Sequence, residues 1–353
     1  MLYIRADGNP NIGTGHIMRC LSIADAVKKR GGAASFIVAD NNMRELISKY
    51  GYDIICLDSL WNNLDVETDT IHELIKTNSV EKLLIDSYYV TPTYLDEISN
   101  LTHVIYIDDL NMFHYTCDML INYNYYADES DYLVRYPSSK LLFGCRYAPL
   151  REEFQNLTQR VTEKEVLSVL VTVGGTDIFN IAYKIVKLAK ACQEISHLTY
   201  HIVAGRFNQH IGALDCLAID YDGVIIHKDV QSMSRLMLDC DIAVSAGGST
   251  LYELCACGIP SVVFAMADNQ LEAIRCFGND YMINAGDFRE NEEQCLGNAV
   301  SGVRHLASGY DLRREMSGKV QKLVDGSGAM RIAESIISIS GKKRKEVRTV
   351  DAL

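Results

Sequence analysis

Residues 244–270, VSAGGSTLYELCACGIPSVVFAMADNQ, decide the fold. The apolar run that ends at Gly247 and Gly248 is typical of a buried strand, the residues that follow have the length of a helix, and IPSVVFAM has the pattern of a second buried strand. Parallel strands joined through a helix form a right-handed βαβ unit, which places the helix on a face of the sheet. The stretch therefore predicts a doubly wound α/β domain.

The same alternation fills both halves of the chain. The first half carries the strand-like runs LYIRAD, SFIVAD, YDIICL, KLLIDSY and HVIYIDD, and the second half carries LSVLVTVGG, YHIVAG and GVIIHKDV before the stretch quoted above. The polar residues 155–164 separate the two halves. We therefore expect two Rossmann-like parallel-sheet domains, over residues 1–150 and 165–325, followed by a helix and a basic tail over 326–353. Because ligands bind at the carboxyl ends of such strands, the domains should face each other across a shared cleft.

The composition is that of an ordinary globular protein, with 353 residues of which 48% are hydrophobic and 23% charged. A net charge of −12 argues against nucleic-acid binding, which depends on Lys and Arg neutralising phosphates. No apolar run approaches the ~18 residues of a membrane span and no basic signal segment precedes the first strand, so we expect a cytoplasmic protein. The 11 cysteines form no C-x-x-C motif and should be reduced. The oligomeric state stays open, with a monomer favoured.

A glycine-rich turn, DGNPNIGTGHIMRC, follows the first strand. It lacks the phosphate-gripping lysine of a P-loop, and Met18 stands where a dinucleotide fingerprint needs its third glycine. Gly13 and Gly15 leave the backbone free to approach a ligand at the amino terminus of the next helix. His16 comes directly after them, where the helix dipole favours a neutral imidazole that can act as a base. A histidine that only caps or packs the helix is the alternative.

Polar residues also end two strands of the first half, Asp86-Ser87-Tyr88 after KLLI and Asp108-Asp109 after HVIYI. The carboxyl ends of neighbouring parallel strands meet at one edge of the sheet, so these side chains should face the cleft. Their carboxylates could hold a histidine tautomer or a sugar hydroxyl, and helix N-capping is the alternative. They stand at no recognised metal-ligand spacing, and we expect no metal.

Two glycine-glycine turns in the second half favour a phosphate-bearing ligand. VTVGGTD, residues 171–177, and VSAGGSTLYE, residues 244–253, each place Ser or Thr where the next helix should begin. Ser249 is not a hydrolase nucleophile, because the closing glycine of G-x-S-x-G is absent. Glu253 lies one helical turn further on, where a carboxylate can reach a ribose diol, and an offset capping pair with Ser249 is the alternative. The Asn-Gln pair at 269–270 offers amide groups after the next strand, with N-capping as the alternative.

Taken together, residues 244–270 resemble the nucleotide-sugar site of GT-B enzymes of the MurG type. The first half narrows the resemblance through R-x-D-x(5)-G-x-G-H-x-x-R-C, the IDSY and IDD strand ends, LINYNYYADESDY, Y-x-x-L-R-E-E-F and GGTDIFN. In combination these motifs resemble the UDP-sugar hydrolases of pseudaminic acid biosynthesis, the PseG type, over about residues 2–270. Ser87 and Tyr89 replace the His and Gly that usually flank the tyrosine found here at position 88, and Pro149 interrupts the Y-x-L-L/I-R run. The resemblance therefore indicates the reaction type more firmly than the identity of the sugar.

The resemblance implies a GT-B fold and hydrolysis of UDP-2,4-diacetamido-2,4,6-trideoxy-β-L-altropyranose to the free sugar and UDP, in a pathway that serves flagellin glycosylation and surface polysaccharide. Water attacks the anomeric carbon with inversion, and neither metal nor cofactor is used. His16 matches the catalytic histidine and Tyr88 a tyrosine beside it. Nucleotide-side positions are matched by Gly174, Gly175, Thr176, Val230, Gly248, Ser249, Glu253, Asn269 and Gln270. The turns and strand ends add further expected substrate-binding residues, namely Gly13, Gly15, Arg19, Asp86, Asp109, Asp177, Gly247 and Thr250.

Two other functions remain open. A GT-B glycosyltransferase would use the same UDP-sugar donor site with an acceptor hydroxyl in place of water. The apparent lack of a long hydrophobic, basic patch for a lipid acceptor in the first domain counts against it. A non-catalytic nucleotide-sugar-binding protein would have no use for a base at position 16.

Overall fold

The computed structural model describes residues 1–339, so the basic residues 342–345 of the predicted tail lie outside the described part of the chain. Within residues 1–339 the chain forms two parallel β-sheets of seven and six strands, each with its own helices. The prediction of two Rossmann-like parallel-sheet domains is confirmed.

The first sheet has the strand order β3-β2-β1-β4-β5-β6-β7, and all neighbouring pairs are parallel. Five strands fall on the predicted runs, namely β1 (Leu2–Ala6), β2 (Ala34–Val38), β3 (Asp53–Cys56), β4 (Lys82–Asp86) and β5 (His103–Ile107). Two strands that the sequence analysis did not identify, β6 (Met119–Asn122) and β7 (Lys140–Phe143), extend the sheet. Successive strands are added on one side of β1 up to β3 and on its other side from β4 onward, so the strand order reverses between β1 and β4. Ligands bind at such switch points in open parallel sheets.

Five helices accompany this sheet: α1 (Gly15–Lys29), α2 (Arg44–Lys49), α3 (Thr68–Thr77), α4 (Pro92–Ser99) and α5 (Glu129–Arg135). α1 is the longest of them and buries ten residues, because apolar side chains such as Ile17, Leu21 and Ala24 recur on one face. It follows β1 directly through the glycine-rich turn, so its amino terminus lies at the switch point.

The second sheet has the order β10-β9-β8-β11-β12-β13, again with parallel pairs. Its strands are β8 (Ser168–Thr172), β9 (Thr199–Ala204), β10 (Val224–Lys228), β11 (Ile242–Ala246), β12 (Ser261–Ala265) and β13 (Ile283–Asp287), of which β13 was not predicted. The helices are α6 (Ile181–Ala191), α7 (Ile211–Asp220), α8 (Met233–Asp239), α9 (Thr250–Cys257), α10 (Leu271–Asp280), α11 (Glu292–Ser308) and α12 (Tyr310–Val320). The switch point lies between β8 and β11, which are the strands that end in the two glycine-glycine turns.

The last described helix, α13 (Gly328–Ser338), returns to the first domain and packs on α1. The ammonium of Lys82 donates to the carbonyl oxygen of Ile336 at 2.9 Å, which satisfies the carboxyl end of that helix. The chain therefore crosses between the domains twice, and the backbones of the two crossing segments are in direct contact. A Cβ atom on Gly326 would lie 2.0 Å from the carbonyl oxygen of Phe154, and one on Gly328 would lie 2.1 Å from that of Ala148.

Both sheets are buried by their helices, and most buried side chains of the switch-point strands are apolar, with Arg5 in β1 and Asp86 in β4 as charged exceptions. Six of the 11 cysteines are buried, as expected for packed thiols. Among residues 1–339, no helix has both the length and the apolar character needed to cross a bilayer.

Candidate active site between the domains

The carboxyl ends of the two sheets face each other across a cleft with a volume of about 410 Å³. Loops after β1, β4, β5 and β6 line it from the first domain, and loops after β8, β9, β10, β11 and β12 line it from the second. The two switch points are therefore opposed, as the sequence predicted. The domains approach closely at the mouth, where a Cβ atom on Gly175 would lie 3.4 Å from the Cα atom of Gly13.

His16 lies in the first turn of α1 and lines the cleft, although only 6% of it is exposed. Its Nδ1 atom lies 2.7 Å from Oδ1 of Asp86 at the end of β4. Nη2 of Arg19 also lies 3.1 Å from Nδ1, but it donates to Oδ1 of Asp86. Because a carboxylate accepts a hydrogen bond, the shorter contact with Asp86 favours a ring proton on Nδ1 and a free lone pair on Nε2. Asp86 is 1% exposed and lies behind His16, so it holds the histidine and does not line the cleft.

Arg19, one helical turn beyond His16, binds both carboxylates of this region. Its Nε atom donates to Oδ2 of Asp86 at 2.6 Å, and its Nη1 atom donates to Oδ2 of Asp109 at 2.8 Å. Burial alone would raise the pKa of Asp86, but the guanidinium of Arg19 and the ring of His16 lower it below its usual range. Asp86 is therefore ionised at neutral pH and remains an acceptor for the histidine proton. Arg19 does line the cleft, as predicted, with its guanidinium engaged by the protein.

Tyr88 completes the first-domain side of the cleft. Its ring meets that of His16 edge to face, with 4.5 Å between ring centroids. Its hydroxyl donates to Oδ2 of Asp109 at 3.2 Å and accepts a hydrogen bond from Nδ2 of Asn269, in the second domain, at 3.2 Å. Burial and the nearby carboxylate of Asp109 raise the pKa of Tyr88 well above its ordinary value. The phenol is therefore a neutral hydrogen-bond donor at neutral pH, set directly beside the histidine.

The second-domain side is dominated by backbone. Gly247, Gly248 and Ser249 lead into α9, whose first residue is Thr250. The N–H groups of Gly247 and Gly248 donate to the carbonyl oxygens of Phe264 and Ala246, so the donors that this turn offers to an anion are the N–H groups of Ser249 and Thr250. A side chain at Gly247 would force its neighbours to shift, since a Cβ atom there would lie 2.6 Å from Cγ2 of Ile274. The prediction that Ser249 opens the following helix is confirmed.

The corresponding prediction for Thr176 is wrong. α6 begins five residues later, at Ile181. The carboxylate of Asp177 caps this helix, because it accepts hydrogen bonds from the backbone N–H of Ile181 at 2.7 Å and of Ala182 at 3.1 Å. Asp177 adopts a positive φ and is 1% exposed. A capping carboxylate satisfies the helix end internally, so this turn presents Gly174 and Gly175 to the cleft while Thr176 and Asp177 do not line it.

Glu253 lies in the first turn of α9 and lines the cleft together with Arg151. Nη2 of Arg151 donates to Oε1 of Glu253 at 3.0 Å, and Nη1 lies 2.9 Å from Oε1 of Glu153. Burial raises the pKa of Glu253, while the guanidinium of Arg151 opposes that rise. The sequence analysis quoted Arg151 within the Y-x-x-L-R-E-E-F motif without assigning it to the site. Its position at the start of the first crossing between the domains could have indicated that it lies near the cleft.

Further cleft residues were missed because they come from loops without a strand-end signal. Tyr123, Asn124 and Tyr126 follow β6, which was itself not predicted, and Tyr252 lies on α9 between residues that were predicted. Arg206, after β9, lines the mouth of the cleft and forms an ion pair with Glu45 of the first domain. The pattern LINYNYYADESDY was noted as a motif, yet nothing in its spacing indicates that its tyrosines face the other domain.

The structure therefore brings most of the predicted site residues together. The residues that line the cleft are Gly13, Gly15, His16, Arg19, Tyr88, Asp109, Gly174, Gly175, Val230, Gly247, Gly248, Ser249, Thr250, Glu253, Asn269 and Gln270. Asp86, Thr176 and Asp177 do not line it. Among residues 1–339 there is no group of three or more His, Cys, Asp and Glu side chains arranged to hold a metal ion.

Comparison of the whole chain with solved structures identifies the architecture. The chain superimposes on MurG of Acinetobacter baumannii with a TM-score of 0.67 and 13% sequence identity, over 96% of this chain and 99% of that one. The chain has the GT-B fold. Another GT-B neighbour is a spinosyn rhamnosyltransferase, SpnG, with a TM-score of 0.65 and 12% identity over 94% of this chain and 99% of that one. At these identities the likeness concerns the fold alone.

Comparison with curated sequences confirms the resemblance seen in the motifs. The chain is 28% identical over 70% of its length to the UDP-2,4-diacetamido-2,4,6-trideoxy-beta-L-altropyranose hydrolase of Campylobacter jejuni, covering 85% of that protein. It is 23% identical over 93% of its length to the spore coat polysaccharide biosynthesis protein SpsG of Bacillus subtilis, covering 95% of it. An uncharacterized protein of Methanocaldococcus jannaschii is 26% identical over 79% of this chain, which spans only 57% of that protein. No family model matches the chain.

Proposed function

We propose that this GT-B protein hydrolyses a UDP-sugar at the anomeric carbon, with His16 as the general base. The observation that carries the proposal is the contact between Nδ1 of His16 and the ionised carboxylate of Asp86, which directs the free Nε2 lone pair toward the cleft. A base of this kind activates a nucleophile by accepting its proton as the new bond forms. A protein that only binds a nucleotide sugar would gain nothing from it.

In the proposed reaction, the oxygen of a water molecule forms a bond to the anomeric carbon while Nε2 of His16 takes its proton. The bond from that carbon to the β-phosphate oxygen breaks, and its electron pair leaves with UDP. The backbone N–H groups at the start of α9, next to Gly248 and Ser249, are suited to the charge that develops on the diphosphate. Glu253 is suited to the ribose diol, one turn further along the helix. Attack from the face opposite the leaving group gives inversion.

The motif resemblance and the name of the Campylobacter jejuni relative support UDP-2,4-diacetamido-2,4,6-trideoxy-β-L-altropyranose as the substrate. A role in the pseudaminic acid pathway follows from that substrate. Supply of flagellin glycosylation, independence of metals and a cytoplasmic location stay predictions. So do the domain limits at residues 150, 165 and 325 and the favoured monomer.

A glycosyltransferase activity is the second candidate, and a feature of the first domain favours it. The loops at the carboxyl edge of the first sheet expose the apolar side chains of Leu60, Tyr89, Met112 and Phe113, at 53%, 40%, 58% and 42%. An acceptor could rest on such a surface. The expectation that this domain lacks a long patch that is both hydrophobic and basic stays a prediction, and acidic residues such as Asp58 and Asp65 lie in the same region.

The experiment that separates the candidates measures UDP release from purified protein with a panel of UDP-sugars, with and without an added acceptor. We expect release without acceptor, abolished in His16→Ala and retained in His305→Ala, a control on an exposed position of α11. Release only with acceptor would favour the transferase, and UDP binding without turnover of any donor would leave the binding protein.

A further inference from the structure

A continuous chain of hydrogen bonds links the nucleotide-side helix α9 to the first-domain residues beside His16. It begins at Tyr252, which lies between Thr250 and Glu253 on the same helix turn that lines the cleft. The ring of Tyr252 is 3% exposed and packs between Tyr123 of the first domain and Phe277 of the second. The hydroxyl is therefore held at the contact between the two domains.

The hydroxyl of Tyr252 has two partners in the loop after β6. It accepts a hydrogen bond from the backbone N–H of Tyr125 at 3.3 Å, and it donates to Oδ1 of Asn124 at 3.0 Å. Because the N–H group occupies the acceptor side, the hydroxyl proton must point at Asn124. This contact fixes which way the amide of Asn124 faces.

Asn124 passes this orientation on to Asp109. With Oδ1 turned to Tyr252, the amide directs Nδ2 to Oδ1 of Asp109 at 3.0 Å. The other oxygen of Asp109 accepts from Tyr88 at 3.2 Å and from Arg19 at 2.8 Å. Asn124 is 7% exposed, so a reversed amide would set its oxygen against the carboxylate in a poorly hydrated place.

We propose that Tyr252 is a positioning residue that couples binding of a uridine diphosphate group on α9 to the placement of Asp109 and Tyr88 beside the histidine. Tyr252 itself need not touch the reacting atoms. A ligand that orders the first turn of α9 fixes this hydroxyl, and the hydroxyl orders the amide, the carboxylate and the phenol in turn. The inference rests on the proposed function, since it assigns a catalytic value to the position of Tyr88.

Removing one oxygen atom tests the proposal. In Tyr252→Phe the ring can keep its packing against Tyr123 and Phe277, so the fold should be retained. We expect kcat for UDP release to fall about tenfold and the Kd for UDP to rise by no more than the same factor, because a coupling between two sites is reciprocal. Tyr200→Phe is the matched control, because that buried hydroxyl also donates one hydrogen bond, to the carbonyl oxygen of Ile195, away from the cleft.

A second variant and a second readout keep the outcomes distinct. Asn124→Ala should lower kcat by a similar factor, and the double variant with Tyr252→Phe should be no slower than Asn124→Ala alone, because both changes break one chain. Hydrogen exchange should show that UDP protects the backbone of residues 108–111 in the wild type and not in Tyr252→Phe. An unchanged kcat in Tyr252→Phe, or additive losses in the double variant, overturns the coupling. Absence of UDP release by the wild type from any donor overturns the proposed function instead, and the exchange result then decides the coupling alone.

Discussion

Replacing Asp86 by Asn tests the role given to the histidine with almost no change in shape. In the wild type, Asp86 accepts from Nδ1 of His16 at 2.7 Å, from Nε of Arg19 at 2.6 Å and from Nη2 of Arg19 at 2.5 Å. An amide has only one oxygen. If that oxygen takes the place of Oδ2 and accepts from Nε of Arg19, the amide N–H₂ takes the place of Oδ1 and faces Nδ1 of His16, and the imidazole must carry its proton on Nε2 instead of Nδ1. The nitrogen that faces the cleft is then a donor and cannot act as a base.

The magnitude follows from comparable histidine–carboxylate pairs, where this substitution forces the wrong tautomer and lowers kcat about 10⁴-fold. We expect a fall of about 10³ to 10⁴ in kcat for Asp86→Asn, which corresponds to about 4–5.5 kcal/mol of barrier. Stability should suffer less. Arg19 keeps its ion pair with Asp109, so no guanidinium is left without a carboxylate, and the loss is that of a mismatched buried hydrogen bond, about 1–3 kcal/mol.

The assay is UDP release under saturating substrate, together with a UDP titration and a thermal melt. Asp241→Asn is the control, since that carboxylate also accepts several hydrogen bonds, from the backbone of Leu167 and Ser168 and from the Ser168 hydroxyl, at the opposite end of the second sheet. A kcat for Asp86→Asn within tenfold of the wild type, with the fold intact, would refute the assignment of His16 as a base oriented by this carboxylate.

Two further substitutions test the nucleotide side. Arg151→Met should raise the pKa of Glu253 further, because burial already raises it and only the guanidinium opposes that. As the pH is lowered, calorimetry should then show UDP affinity falling at a higher pH in the variant than in the wild type, and coinciding profiles would contradict the pairing. Gly205→Ala should destabilise the protein by about 1–3 kcal/mol in thermal melts and weaken UDP binding several-fold. The reason is that its Cβ atom would lie 2.4 Å from the carbonyl oxygen of Gly174 and 2.6 Å from the Cα atom of Gly175. Unchanged melting and affinity would contradict this expectation.

The fold could be predicted to the extent that each strand is a continuous apolar run. Two of the three strands that were not predicted have a different character, whereas β6 (Met119–Asn122) is buried and interior but only four residues long. β7 (Lys140–Phe143) is a partly exposed edge strand of four residues, and β13 (Ile283–Asp287) contains Gly286, which weakens a strand pattern. Both lie at the edge of their sheet, where burial on two faces is not required and the sequence signal is weak.

The site could be predicted where the parallel topology alone determines the position of a residue. The loops after β1, β4, β8 and β11 had to converge at the switch points, so His16, Tyr88 and the glycine turns could be placed from their position after a strand. Thr176 could not, because the start of α6 depends on how Asp177 caps it. Arg151 and Tyr252 act across the domain contact, and no local pattern records which residues of a helix or crossing segment meet the other domain.

Hydrolysis in water enriched with ¹⁸O tests the central claim most directly, because it reports which bond breaks. After complete turnover of a UDP-sugar in such water, the free sugar and UDP are analysed separately by mass spectrometry. Attack at the anomeric carbon predicts one ¹⁸O atom in the sugar and none in UDP. Label in the β-phosphate of UDP would mean that water attacks phosphorus, and the arrangement of His16 described above would then not be the one that performs the reaction.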